Sequence, residues 1–191
     1  MTEWLDWLGP DGGRSLLWVL LLAVLVFWIV GAYNRLTRLR GAIGIAWAQI
    51  DELLSRRSLL LRSLVEALQQ PLSDEAPTLA ALAAAEQRQH QATLAVRGRP
   101  AQAVPLTAWV VAEGELASPL ARLLALLEQR RELSDDTTIG PLAKELAELA
   151  PRLAYARQMF GAAADQYNEA LQEIPTRWVV AAFSMRPTPR L

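Results

Sequence analysis

Asp51, Arg56 and Arg57 fall within two turns of a helical stretch, and Tyr155, Arg157, Tyr167 and Asn168 form a second polar set. Arginine beside carboxylate suits two tasks: gripping an anion through charge-assisted hydrogen bonds, or joining helices through buried ion pairs. Glu52 and Arg56 are four apart, so an exposed helical pair worth about 0.3–0.5 kcal/mol accounts for Arg56. Arg57 stands where a core residue is expected, and a buried guanidinium needs a counter-charge. Glu145, Glu148, Asp165 or Glu86 could supply it from a facing helix. Tyr167 is in register with an apolar seam, which predicts core packing with a hydrogen-bonded hydroxyl. A structural polar network is expected from these seven residues, ahead of a ligand or partner site.

Catalytic chemistry finds little material. Cysteine is absent and His90 is the one histidine. It lies among Gln87, Gln89 and Gln91, is expected to be exposed, and has no serine near it in sequence to activate. A multi-histidine metal site is excluded. Glu113 with Glu115, and Asp135 with Asp136, fall on turns or polar faces and read as solvated. No glycine loop could cradle phosphate. No catalytic residue, metal or cofactor is expected, and the protein is not expected to be an enzyme.

The elements that must position these residues are helices. Alanine and leucine dominate, which favours long helices over sheet. Apolar residues recur at Ile43, Trp47, Ile50, Leu54, Leu61, Leu64 and Leu68, with Arg57 on the same seam. Nothing breaks the run before Pro71, and Gly41 and Gly44 are its bending points. A second helix is predicted over about 77–97, its stripe Leu79, Leu82, Glu86 and His90. A third is predicted over about 106–132, seamed by Leu116, Leu120, Leu123 and Leu127. The last starts at Pro141 and carries Leu142, Leu146, Leu149, Leu153, Ala156, Phe160, Ala163, Tyr167 and Leu171. Pro151 should kink or divide it.

Ahead of these lies an apolar run. Residues 15–34 hold no charge, and as a helix they cover about 30 Å, one hydrocarbon core. Trp18 and Trp28 near its ends and Tyr33 at its close suit the interfacial belt. "VGA" at 30–32 satisfies the small-residue cleavage rule of an export signal, but the segment before the run is net acidic and the run is long for a signal. A retained anchor is expected.

Charge is distributed unevenly around a net of −1. Arg35, Arg38 and Arg40 make a basic neck, Arg177, Arg186 and Arg190 a basic tail, and the body between them is acidic. The arginines behind the span place the N-terminus outside and the body in the cytoplasm, in a single pass of the inner membrane. Four hairpinned helices return the chain to the membrane surface, where Arg177, Trp178, Phe183 and Arg186 would lie in the interface. The expected organisation is an extracytoplasmic segment 1–14, a transmembrane helix 15–34, a cytoplasmic bundle 35–174 and a basic amphipathic tail 175–191. An acidic body argues against nucleic-acid binding.

Two stretches resemble the LemA family: "YNRLTRLR" with "AWAQIDELLSRRSLLLRSLVEAL", and "RLAYARQMFGAAADQYNEALQEIPTRWVVAAFSMRP". "ELASPLARLLALLE" adds a weaker match. The resemblance implies an all-α protein with an N-terminal membrane helix followed by an elongated antiparallel bundle of four long helices. It implies no established enzymatic activity. One relative takes part in forming magnetosome membranes. The chain departs from the pattern at Arg62 (usually proline), at "RRELSDD", at Pro151 and over 97–105. The expected role is a membrane-anchored, non-catalytic scaffold or adaptor for a membrane or cytoplasmic protein or for self-assembly. The alternative is a membrane-remodelling protein acting on the lipid bilayer through its neck and tail.

Overall fold

From Pro10 onward the chain meets no further proline until Pro71, and the leucine- and alanine-rich sequence between runs as one helix. In the computed structural model this helix, α1, spans Pro10–Leu68, 59 residues. At 1.5 Å per residue it is about 88 Å long. The structure describes residues 10–173, 180 and 186–191. Residues 1–9 of the expected N-terminal segment, and Arg177, Trp178 and Phe183 of the tail, lie outside the described residues, while 10–14 belong to α1.

The first part of α1 is not buried against the rest of the described chain. Every residue from 15 to 31 is exposed, Trp18 and Phe27 among the most so. This segment is long and apolar enough to cross a membrane. Burial begins at Ala32 and Leu36, so the end of the expected span already touches the bundle.

A turn carrying a short 3₁₀ stretch, Ser73–Glu75, leads to α2, Ala76–Arg97, with Pro77 in its first turn, where a missing N–H costs nothing. Helix α3 spans Ala103–Gln129, the four-residue α4 spans Arg131–Ser134, and α5 spans Ile139–Gln172. The third and last helices therefore start two to three residues earlier than expected, and the third ends at Gln129, with α4 beginning inside its expected last turn. Asp136 is exposed, as expected, and also accepts the backbone N–H groups of Thr138 and Ile139 at 2.7 and 2.9 Å, which starts α5. Gly140 is required there because a Cβ would collide with the carbonyl of Ser134.

Pro151 neither ends nor divides α5, and Pro119 lies inside α3. Pro151 is on an exposed face, as is Ala147 four residues earlier, so the carbonyl it frees can bond to water. The four long helices pack antiparallel through short turns, α1 along α5 and α2 along α3, with a smaller contact between α1 and α2. Arg35, just beyond the apolar run, pairs with Glu173 beyond the end of α5, while Arg130 pairs with Asp74 at the far tip at 2.6 Å. The last helix thus returns to the neck.

Two apolar cores fill the bundle. The one nearer the neck gathers Leu36, Ile43, Trp47, Ile50, Leu54, Leu106, Trp109, Phe160 and Tyr167. Trp47 meets Trp109 edge-on, centroids 5.5 Å apart, and Phe160 at 6.2 Å. Such pairs add about 0.5–1.5 kcal/mol each beyond the area they bury. The distal core holds Leu61, Leu64, Leu68, Leu82, Leu116, Leu123 and Leu146.

Candidate functional site

Between the two cores lies a polar layer, contributed by all four long helices. Arg57 enters it from α1 because the three-and-four seam through Leu54 and Leu61 carries it inward; its side chain is 9% exposed. Glu113 enters from α3, on the face that also buries Trp109 and Leu116. Arg157 enters from α5, between Leu153 and Phe160. Gln89 and Thr93 enter from α2.

Arg57 donates through both Nη atoms to both Glu113 oxygens at 2.6 Å, a two-point fork. Arg157 Nη2 donates to Glu113 Oε1 at 2.5 Å, and its guanidinium carbon lies 5.2 Å from the centre of the Trp109 ring. Burial pushes the Glu113 carboxyl upward, but the hydrogen bonds and charge of Arg57, joined by those of Arg157, outweigh it and hold the group below the usual range. Trp109 Nε1 donates to Thr93 Oγ1 at 3.1 Å, and Thr93 Oγ1 donates to the Gln89 carbonyl at 2.9 Å. A second cluster joins buried Glu86 to Ser58 Oγ and, at 3.3 Å, to Arg62 Nη2.

This corrects several expectations. The counter-charge of Arg57 is none of Glu145, Glu148, Asp165 or Glu86 but Glu113, which had read as solvated. Arg56 reaches across to Glu145 on α5 at 2.5 Å instead of pairing along its own helix with Glu52. Arg62, in place of the usual proline, serves Glu86. On α2 the buried stripe passes through Gln89 and Thr93, and His90 is half-buried, not exposed. The missed residues had a signal: Glu113 shares the spacing of Trp109 and Leu116, as Arg57 shares that of Leu54 and Leu61.

The other predicted residues are dispersed. Asp51 accepts from Arg97 Nε at 2.9 Å on the α1–α2 surface. Tyr155 is exposed and lines an α1–α5 groove of about 510 Å³ with Glu52, Leu53 and Pro151. Tyr167 is buried, which pushes its hydroxyl pKa up against the opposing charge of Arg40. Asn168 receives the C-terminus: it accepts from Thr188 N–H and donates to the Thr188 carbonyl, both at 2.8 Å. Thr188 Oγ1 donates to the Ala101 carbonyl at 3.0 Å, and Arg190 pairs with Asp165. The last residues of the tail are therefore tied to the bundle. Trp18, Trp28, Tyr33, Arg35, Arg38, Arg40 and Arg186 are all exposed. Among the described residues no group of three or more His, Cys, Asp or Glu could hold a metal ion.

The pattern of the LemA family matches residues 46–191. The chain belongs to the LemA family. The LemA match begins inside α1, so it covers the polar layer, the distal core, the neck core except Ala32, Leu36 and Ile43, and the docked C-terminus, while the apolar segment lies ahead of it. No curated protein matches the chain.

Proposed function

We propose that this LemA protein is a single-pass protein of the bacterial inner membrane, with its N-terminus outside and its bundle in the cytoplasm. It acts as a non-catalytic scaffold or adaptor for a membrane or cytoplasmic protein, or for copies of itself. The observation that carries this reading is the continuity of α1, whose exposed apolar part passes without a break into the buried seam of the bundle. A bundle coupled in this way holds its surfaces at a set height above the lipid. Its outer faces keep exposed apolar residues such as Leu59, Val111, Tyr155 and Met159 for a partner.

Crosslinking in intact membranes tests the role, with a specific partner or a homo-oligomer as the expected product. A monomer that captures nothing counts against it. Orientation is tested separately, and the absence of native cysteine makes the test simple. Ser73→Cys, exposed at the distal tip, should react with an impermeant maleimide only after the membrane is opened. Labelling of intact cells would place the bundle outside.

The membrane-remodelling alternative draws on exposed Arg38, Arg40 and Arg186, each worth about 1 kcal/mol near anionic lipid. The engagement of Thr188 and Arg190 by the bundle leaves it less support. Liposome deformation by the full chain that disappears in high salt would favour it.

A further inference from the structure

The polar layer opens into a cavity of about 210 Å³ between α1, α3 and α5. We propose that this cavity binds a single-chain carboxylate, its headgroup at Arg157 and its alkyl chain among leucines. This inference goes beyond the scaffold reading and does not depend on it.

The charge at the polar end is unbalanced. Two guanidinium groups, Arg57 and Arg157, face the single carboxylate of Glu113, leaving one positive charge unmatched. Arg57 commits both its Nη atoms to that carboxylate. Arg157 commits Nη2, while its Nε is buried and has no hydrogen-bond partner among the described residues. The part of this guanidinium that faces the cavity is the part Glu113 does not hold, since the side chain keeps 30% of its surface exposed, and there a second carboxylate finds a half-matched cation and charge-assisted bonds, the strong ones. Trp109 stacks against this guanidinium and holds its plane.

Away from that end the walls are apolar, Leu120 and Leu124 on one side and alanines and leucines of α5 on the other. The α5 alanines are exposed, so the cavity reaches solvent. At about 30 Å³ per water-sized group there is room for roughly seven, the alkyl carbons of an eight-carbon acid whose carboxylate lies at the part-exposed Arg157, and too little for a two-chain phospholipid. A cationic amphiphile would meet two arginines, and a neutral one would leave Arg157 unmet.

Calorimetric titration of the full chain in nanodiscs with octanoate, octanol and octylamine, empty nanodiscs subtracted, tests the assignment. Octanoate should saturate at one per chain, octanol should bind at least tenfold more weakly, and octylamine should show no saturable uptake. Arg157→Gln should weaken octanoate at least tenfold, and Leu124→Trp, which fills the cavity, should abolish its binding, with helicity checked by circular dichroism. If Arg157→Gln fails to fold, Arg157→Lys and Leu124→Trp decide the matter. No saturable octanoate binding, equal binding of octanoate and octanol, or octanoate binding that survives Leu124→Trp overturns the proposal.

Discussion

Arg57 and Glu113 meet through two parallel hydrogen bonds of 2.6 Å, joining α1 to α3 at the level where the two apolar cores part. The residues are 56 apart in sequence, so this fork reports the register of the bundle and not of any one helix. Arg157 completes it from α5, and three of the four long helices are thereby held at one height.

Removing the carboxylate should be costly. Glu113→Ala leaves Arg57 buried without a counter-charge, and the expected loss is about 3–5 kcal/mol. The double variant Arg57→Met with Glu113→Leu removes both charges from the pair and fills the space, so it should melt above Glu113→Ala. Thermal unfolding of the full chain in detergent, followed by circular dichroism, checks both. A double variant no more stable than Glu113→Ala would mean that the fork is a minor part of the bundle's stability.

Acid should weaken the bundle through the same carboxylate. The folded Glu113 carboxyl titrates below its ordinary value of 4.5, so its contribution is complete above about pH 4.5 and is lost as pH falls through the folded value. Asp136 behaves likewise from its ordinary value of 3.8, because the Ile139 and Thr138 amides favour its ionised form. Melting temperature should fall below about pH 4.5 and stay flat between there and neutrality, and Glu113→Gln should flatten the first part of the fall. An acid profile identical in Glu113→Gln would remove Glu113 from the account.

The C-terminal strap should be measurable by hydrogen exchange. Asn168→Ala deprives both the N–H and the carbonyl of Thr188 of their partner, a local cost of about 1–3 kcal/mol. Exchange should quicken over 98–102 and 186–191, because Thr188 also holds the Ala101 carbonyl, and should stay unchanged around Leu64 and Leu68. Unchanged exchange in the tail would show that its protection comes from elsewhere.

Much of the architecture was legible in the residues. The apolar seams of α1 and α5 predicted the buried faces almost position by position, and the inward placement of Arg57 and Tyr167 followed from them. The α2 stripe was less legible, because a helix rich in alanine has no strong face and buried Gln89 and Thr93 look like surface residues until Trp109 is placed beside them.

By itself the sequence determined what depends on neighbours within a turn or two: which segments are helical, which face is apolar, and that one segment is apolar enough to cross a bilayer. Only the tertiary structure decided who meets whom. Arg57 found Glu113, Arg56 passed over Glu52 for Glu145, and Arg190 took Asp165. The physical reason is that an ion pair between helices depends on their rotation and axial offset, and these are settled by the summed packing of both cores. Local spacing sees neither, and an arginine long enough to reach several carboxylates leaves the choice to the fold.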